Sequence, residues 1–308
     1  KLANNGLELV PTEHPFASAF PDGRWLGVSM DPALTTARIR GFSDGDAEAW
    51  KALTNGFDID SQGILATLGT SMNLYAIASL IWKLRKRSGT GGTLDLTRFI
   101  MMSPRDWLDS QFESPQVKAM LAAWGMHLDF APDVAGGAVF PYLEAMAGQA
   151  FGMVIGKGGA SSIIDAMVSL LEVRGGKIHC DASVIGIRTQ GGRAVGIELK
   201  DGKYVSAGKA VIANVSPRNL NALTGDTSNQ RYDKRLKAFQ HAPGTMMIHL
   251  AMDNLPKWRC PELKRFAYVH LAPTLSQMSK TYNEALSGLL PVEPVIVCGQ
   301  PTVIDPSR

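Results

Sequence analysis

The pattern of apolar and polar positions predicts strands and helices mixed along the whole chain. Continuous or alternating apolar runs predict strands at residues 7–10, 25–29, 151–155, 177–180, 184–188, 194–199, 210–213, 245–252, 266–270 and 295–301. Helical periodicity and serine or aspartate caps followed by proline predict helices at residues 32–42, 47–53, 115–124, 141–149, 161–174, 217–223, 229–240 and 273–286, and a further helix start at Ser103-Pro104. The chain is therefore predicted to have a mixed α/β fold, with helices dominating residues 31–150.

The most structured part of this pattern is the stretch 151–220. A short apolar run leads into the glycine-rich sequence GKGG at residues 156–159, and Ser161 then opens an amphipathic helix. After the glycine pair 175–176 the pattern becomes alternating, with Asp201-Gly202 as a hairpin turn. This order predicts a strand, a glycine loop, a helix and a β-meander.

The glycine loop has two interpretations. As a nicotinamide-dinucleotide site it follows a strand and opens a helix, and Asp181 lies 23 residues past Gly158, near the usual place of a ribose-binding acid. However, the loop has the pattern GxGG and not GxGxxG, and a meander follows where a second crossover helix is expected. The alternative is a glycine-rich helix start that packs on a sheet.

Residues 61–82 carry no charge and are followed by the basic run Lys83-Leu84-Arg85-Lys86-Arg87. Their length would suffice to cross a bilayer, which takes about 20 apolar residues, but several hydroxyl and amide side chains and two glycines interrupt the run. We expect a helix that is mostly buried in protein, or one that lies on a membrane surface with a basic end. Favourable charge at a helix C-terminus also accounts for the basic run.

Composition narrows the class of protein. With 45% hydrophobic and 19% charged residues, the 308-residue chain is typical of a globular protein, and a net charge of +3 does not indicate nucleic-acid binding. Three widely spaced cysteines predict reduced thiols and therefore a cytoplasmic location. A peripheral position at a membrane is compatible with that location. No metal-binding, hydrolase or NTPase motif occurs, so no metal is expected. His249, within a predicted strand, is expected to be a structural residue.

The ordered motifs of the stretch 151–220 resemble the flavin-containing amine-oxidase superfamily, and within it the phytoene dehydrogenase-related oxidoreductases. The resemblance rests on the glycine loop, the long helix, GGKI, VIGI, GRAVGIELKDG and the sequence ANVSP at residues 213–217, where the family typically has SNADP. Residues 112–119 (FESPQVKA) resemble the family's helix-opening segment. Residues 299–302 and 305–308 resemble its late strand and turn.

The resemblance implies three parts: residues 1–150 as a helical cap of a substrate domain, residues 151–220 on the flavin side, and residues 221–308 as further substrate-domain strands and helices. It implies FAD as the cofactor of the full-length parent, with the helix start at Gly158 and Gly159, the backbone of Val184, and Ala213 and Asn214 facing it. The catalytic residues are unknown. The GxGxxG unit that holds the flavin is absent from these 308 residues, so we expect an internal piece of a parent chain that does not retain FAD and is inactive alone.

The implied function of the parent is dehydrogenation of an apolar, carotenoid- or isoprenoid-like substrate by hydride transfer to flavin. The alternatives are a non-catalytic module that binds an apolar ligand or a partner, and a nicotinamide enzyme that uses the GKGG loop. The expected partners are the missing FAD-binding segments, an apolar small molecule and a membrane surface, with a homodimer through exposed apolar surface as another possibility. No nucleic-acid partner is expected.

An apolar substrate requires a concave, mostly apolar pocket. We expect an apolar groove between residues 61–150 and the strands after residue 240, or a second copy of the chain that covers it. The predicted lining residues are Leu68, Met72, Tyr75, Ile77, Met120, Trp124 and Met146.

Overall fold

A computed structural model describes residues 1–227 and 229–308. These residues form two units: Lys1–Met167 together with Pro243–Arg308, and Val168–Ala242. The second unit is inserted in the sequence of the first. The unit boundaries do not fall at the predicted domain boundaries after residues 150 and 220, and the assignment of each predicted part to a substrate or flavin domain stays a prediction.

The mixed α/β fold class predicted from the sequence is confirmed. The strands are β1 (Leu9–Thr12), β2 (Phe16–Ala19), β3 (Trp25–Val28), β4 (Met153–Gly156), β5 (Val184–Gln190), β6 (Arg193–Leu199), β7 (Tyr204–Ser206), β8 (Tyr268–Leu271) and β9 (Ile296–Gly299). The helices are α1 (Pro32–Arg40), α2 (Asp44–Leu68), α3 (Leu74–Met101), α4 (Pro104–Gln111), α5 (Pro115–Met126), α6 (Val139–Phe151), α7 (Ser161–Val173), α8 (Pro217–Thr224), α9 (Gln230–Lys237), α10 (Leu275–Leu286) and α11 (Pro301–Ile304).

The first unit contains a four-stranded sheet in the order β3-β2-β8-β9. Strands β2 and β8 are parallel, with Phe16 opposite Tyr268 and Ser18 opposite His270, and the outer pairs are antiparallel. A separate antiparallel pair joins β1 to β4, with Leu9 opposite Gly156. The sequence pattern missed β2, which forms because its backbone groups pair with strands on both sides.

Helices α2, α4, α5 and α6 supply the main core beside this sheet. Apolar faces at helical spacing converge there because each of these four helices buries one stripe of its surface. Its aromatic centre is formed by edge-on contacts among Phe57, Phe99, Trp107 and Tyr142. Such edge-to-face pairs add about 0.5–1.5 kcal/mol each beyond the burial of apolar area.

Two buried polar contacts connect the elements around this core. The Trp50 indole donates a hydrogen bond to the Gln149 amide oxygen at 3.3 Å, and the Gln149 amide nitrogen donates to the Ser29 carbonyl. The buried Asp46 carboxylate accepts the backbone N–H groups of Glu113 (2.6 Å) and Ser114 (2.9 Å), at the start of α5. Asp46 therefore joins the N-terminal ends of α2 and α5.

The charge-free segment 61–82 is not the single helix that the pattern predicted. Helix α2 ends at Leu68, and α3 begins after Asn73, whose side chain caps it by accepting the Ala76 N–H at 2.9 Å. Nor is this segment mostly buried in protein, since α3 has no buried residue. Across the described residues, no helix has the combined length and apolar character needed for a membrane span.

The second unit consists of the sheet β5-β6-β7 with α8 and α9. The predicted meander is confirmed, and Gly191 and Gly192 form its first turn with φ values of +56° and +75°, which only glycine adopts readily. Helix α8 packs against β5 and α9.

Three predicted strands are wrong within the described residues: residues 177–180, 210–213 and 245–252 are not in strands. Their side chains are largely exposed, with Ile212 at 95% of its full accessibility. Apolar sequence alone does not make a strand, because each strand needs a neighbour to pair its N–H and C=O groups. These segments have the composition of strands but no such neighbour here.

We predict that Asp46→Ala lowers the free energy of unfolding by about 2–4 kcal/mol, because it leaves two N–H donors at the start of α5 without their acceptor. Asp44→Ala is the matched control, since Asp44 lies on the same first turn of α2 with its side chain exposed, and its cost should stay within about 0.5 kcal/mol. Urea unfolding followed by circular dichroism measures both. Equal effects of the two substitutions would contradict the role assigned to Asp46.

Candidate functional site

The glycine loop that the sequence singled out lies between β4 and α7, in the first unit. Gly158 and Gly159 have φ values of +78° and +118°, a region that side-chain-bearing residues rarely adopt. No atom other than a chain neighbour lies where a β-carbon of Gly158 would be. The backbone turn itself, and not a close approach, therefore requires glycine at position 158.

An internal carboxylate occupies this loop. The Asp305 side chain accepts the Gly158 N–H at 2.7 Å and the Ser307 N–H at 3.1 Å. The Ser307 hydroxyl also donates to this carboxylate. That hydrogen bond contributes most, and together with the backbone ones it lowers the pKa of Asp305 to about 2. Arg308 completes the cluster by donating to the Gly156 carbonyl at 2.9 Å, with its guanidinium 3.5 Å from the Asp305 carboxylate.

This arrangement bears on the dinucleotide interpretation of the loop. A phosphate bound at a helix start is held by backbone N–H donors. The Gly158 donor already has an anionic acceptor in Asp305, so a pyrophosphate would have to displace a carboxylate held by several hydrogen bonds. The contact of Gly158 and Gly159 with a cofactor stays a prediction.

The other three predicted cofactor residues belong to the second unit. Val184 is the first residue of β5, which is an edge strand: among the described residues it pairs with β6 alone. An edge strand presents unpaired backbone groups along one side. Ala213 and Asn214 lie outside regular structure and are exposed. A flavin contact through the Val184 backbone is compatible with this position and stays a prediction, as do the contacts of Ala213 and Asn214.

The predicted apolar pocket does not form as one site. Met120, Trp124 and Met146 are buried in the helical core, whereas Leu68, Met72 and Tyr75 are exposed around the connection between α2 and α3. Ile77 is partly buried. The first group is therefore corrected to core residues, because the helices that carry them pack on one another. The second group remains available to an apolar ligand or surface.

A histidine pair is the feature that the sequence analysis missed; His270 is fully buried, whereas His127 is exposed. The His270 ring, fully buried in β8, lies with its Nε2 atom 3.0 Å from Nε2 of His127, just after α5. Trp124 stacks on His127 and meets His270 edge-on. The sequence drew attention to His249 instead, which is exposed and outside any strand. The partner of His270 is 143 residues away, so no local pattern could have indicated the pair.

Burial determines the chemistry of this pair. Desolvation lowers the pKa of His270 to about 3, with a smaller contribution from His127, and burial also lowers the pKa of His127. Near neutral pH both rings are therefore uncharged, and one donates the shared hydrogen bond to the other. Within the described residues the Nδ1 atom of His270 and the hydroxyl of Ser18 are buried without a hydrogen-bond partner. His270 is therefore a neutral polar group of the core and not a general acid or base for neutral pH.

Comparison of the chain with known protein families identifies the family to which it belongs. A family model described as flavin containing amine oxidoreductase matches residues 62–283, which is more than two thirds of the chain. The chain therefore belongs to the flavin-containing amine oxidoreductase family, as its motifs indicated.

Two curated relatives match shorter segments. A phytoene desaturase (lycopene-forming) of Paracoccus sp. is 31% identical over 107 residues, which cover 34% of this chain and 21% of that protein. A 4,4'-diapophytoene desaturase (4,4'-diapolycopene-forming) of Methylomonas sp. is 25% identical over 118 residues, covering 38% and 22% respectively. These matches span about a fifth of each relative's length. They support the phytoene dehydrogenase-related branch of the family.

A solved structure is also similar. The crystal structure of an oxidoreductase from Methanosarcina mazei has a TM-score of 0.45 and is 21% identical, over 76% of this chain and 48% of that one.

The buried histidine generates a pH prediction. The folded-state pKa of His270, about 3, lies below its ordinary value of 6.5, so the unfolded chain binds the proton first as the pH falls. Stability should decrease from about pH 6.5 down to about pH 3, by about 1.4 kcal/mol per pH unit for one proton. His127, also lowered, contributes with the same sign.

We predict that His270→Phe reduces the pH dependence of the unfolding free energy by the equivalent of about one proton, whatever it does to absolute stability. Urea titration at several pH values measures this slope. His249→Phe is the control, because that histidine is exposed in the same unit, and it should leave the slope unchanged. An unchanged slope in the His270 variant would show that the ring is accessible to protons in the folded protein.

Proposed function

We propose that these residues belong to an FAD-dependent oxidoreductase that dehydrogenates an apolar, carotenoid- or isoprenoid-like substrate. The observation that carries the proposal is the family match over residues 62–283. The names of the two curated relatives, both desaturases, support the reaction class. In such a protein the flavin supplies the hydride acceptor, and the protein supplies binding and orientation.

The residues present offer more to the rest of a flavin dinucleotide than to its phosphates. In the second unit, the edge strand β5 offers free backbone groups beside Val184, and Asn214 offers an exposed amide. In the first unit, the glycine loop's Gly158 donor is already bonded to Asp305. We therefore assign Val184, Ala213 and Asn214 to the flavin side, and we expect the phosphates to be held mainly by a GxGxxG segment outside these residues.

The unpaired apolar segments of the second unit support the same assignment. Residues 177–180 and 210–213 have strand composition, yet they pair with nothing within the described residues. Exposed apolar segments with free backbone groups favour pairing with another strand. We propose that the segment which supplies the phosphate-binding loop also supplies the neighbours of these two segments.

The chain's proposed role toward the substrate is to provide apolar surface. The hydrophobic side chains around the α2–α3 connection are exposed, and contacts of this kind bind an apolar molecule by burying apolar area and not through hydrogen bonds. A non-catalytic module that binds an apolar ligand would use the same surface. The presence of a reducible flavin distinguishes the two functions.

The gene product at its full natural length provides the test of function. Purified with FAD and kept free of oxygen, it should lose the visible absorbance of oxidised flavin when an acyclic isoprenoid is added in lipid vesicles. Absence of bound flavin in that protein would favour the non-catalytic module. Reduction by NADH with no response to the isoprenoid would favour the nicotinamide alternative.

We predict that the 308-residue chain alone is colourless after purification and binds added FAD weakly. The main phosphate donors of the family lie in a segment that these residues do not contain, and the Gly158 donor is already engaged by Asp305. Absorbance spectra of the purified chain and a titration of flavin fluorescence measure this. A stoichiometric amount of flavin in the purified chain would contradict it.

In the full-length protein, Asn214→Ala should weaken FAD affinity by roughly 3- to 10-fold, since one neutral hydrogen bond contributes about 1 kcal/mol. Asn219→Ala is the control, because Asn219 lies exposed in α8 of the same unit. Equilibrium dialysis gives both dissociation constants. If both substitutions leave the affinity equal to that of the unchanged protein, Asn214 does not face the cofactor.

A further inference from the structure

Helices α2 and α3 form a hairpin whose exterior is unusually apolar at its tip. Met72, Leu74 and Tyr75 retain 90%, 88% and 89% of their accessibility. Further exposed apolar side chains lie on the two helices beside the tip: Leu65, Leu68, Ile81 and Trp82. Single exposed apolar residues are ordinary on a protein surface, but a contiguous set marks an interaction site.

Two hydroxyl groups beside the tip are satisfied by their own helix. The Thr67 hydroxyl donates to the Gly63 carbonyl at 2.8 Å, and the Thr70 hydroxyl donates to the Ala66 carbonyl at 2.6 Å. Asn73 caps the first turn of α3. Hydroxyls bonded to their own helix are what an apolar surrounding requires, because lipid supplies no hydrogen-bond partners.

Small and hydroxyl-bearing side chains, together with Leu80 and the exposed Lys83, lie along a cleft between the two helices. They line a cleft of about 380 Å³: Ala66, Thr70, Ser71, Ala76, Ser79, Leu80 and Lys83. Water-soluble hairpins bury their large apolar side chains between the helices, whereas this one presents them outward. The outward arrangement indicates an apolar surrounding on the outside of the tip.

A collar of positive charge follows this tip along α3. Lys83, Arg85, Lys86 and Arg87 are all exposed, and Lys86 lies over the Trp82 ring at 5.4 Å. Arg87 donates to the Ile59 carbonyl and the Gln62 side-chain oxygen of α2. The acids next to these positions in the sequence are Asp58 and Asp60, and Asp60 accepts a hydrogen bond from the Tyr142 hydroxyl. Four cations against two acids leave the collar positive, with Trp82 at the boundary between its charged and apolar parts.

We propose that this hairpin tip inserts into the surface of an anionic lipid bilayer. Lys83 lies nine residues after Leu74, which corresponds to about 13 Å along a helix. That depth suits a tip that reaches into one leaflet while the basic collar stays among the lipid headgroups. Tryptophan at this boundary matches the preference of indole rings for the membrane interface.

The charge of the collar selects lipid over a second copy of the chain. Two hairpins packed tip to tip would bring two positive collars together, which disfavours that contact. An anionic headgroup layer complements them instead. This inference does not depend on the proposed flavin chemistry, because lipid binding can be measured without a cofactor.

The test is co-sedimentation of the chain with lipid vesicles. The chain should bind vesicles of phosphatidylcholine mixed with phosphatidylglycerol, and bind phosphatidylcholine alone more weakly. Added salt should reduce the difference between the two vesicle types, since it screens the collar. Trp82 should shift its fluorescence emission to shorter wavelength on binding, and Trp82→Phe should remove that part of the shift.

Two sets of substitutions separate the apolar and the charged contributions. Met72→Asp with Leu74→Asp should reduce binding to both vesicle types by at least roughly tenfold, because each side chain loses its transfer into lipid. Lys83→Gln with Lys86→Gln should reduce binding to the anionic vesicles by roughly 10- to 30-fold and change binding to neutral vesicles little. All four positions are exposed, so the variants should keep the circular dichroism spectrum of the unchanged chain.

Leu290→Asp is the matched control, since Leu290 is 91% accessible in the same unit but far along the chain from the hairpin. It should bind vesicles as the unchanged chain does. The proposal is overturned if the chain binds neither vesicle type, if the Met72 and Leu74 variant binds as well as the unchanged chain, or if the hairpin instead forms a dimer that excludes lipid.

Discussion

The parallel pairing of β2 with β8 is the contact on which the first unit depends. It places Phe16 opposite Tyr268 and Ser18 opposite His270, although these residues lie about 250 positions apart. Parallel strands require the chain to leave the sheet and return, and here the chain forms the helical layer and the whole second unit before it returns. The sheet can therefore close only after residues 268–271 have found β2, a non-local step that slows folding.

Both faces of this sheet are covered, which explains why so short a set of strands is stable. On one face, Phe16 meets the Trp124 ring of α5 edge-on at 4.9 Å. On the other, Ala17, Phe266 and Val269 form a second, smaller core. Gly27 in β3 is required by close approach, since a β-carbon there would collide with the Phe266 ring. Burial on two faces supplies the apolar contact that offsets the cost of closing so long a loop.

The sequence predicted those features whose cause is local. The helices after Ser103 and Ser114 begin where a serine cap precedes proline, and the structure shows both caps. The meander followed from its glycine turns. The break between α2 and α3 also had a local cause, the Asn73 cap. It was not predicted, because the absence of charge along residues 61–82 was interpreted as one continuous helix.

Features that depend on distant partners could not be predicted in this way. Strand β2 exists because β3 and β8 pair with it, and nothing in its four residues distinguishes it from a loop. The carboxylate at the glycine loop comes from Asp305, 147 residues beyond Gly158. The opposite error occurred at residues 245–252, where the sequence predicted a strand that the structure does not contain. They have the composition of a strand, but among the described residues no neighbouring strand pairs with them.

Exposed apolar segments in this chain fall into two kinds, and their backbone distinguishes them. In the helices on either side of the α2–α3 tip the backbone N–H and C=O groups are paired within the helix, so there it is the side chains that need a new surrounding. A fluid apolar phase without hydrogen-bond partners meets that need.

In residues 210–213 and 245–252 the backbone has no strand pairing within the described residues. A fluid apolar phase would therefore leave its polar groups unsatisfied, at a cost on the order of several kcal/mol for each group, as the transfer values for amides indicate. Only another strand satisfies both the side chains and the backbone of those segments. For the same degree of apolar exposure we therefore propose different surroundings, lipid at the hairpin and a polypeptide partner at the unpaired segments.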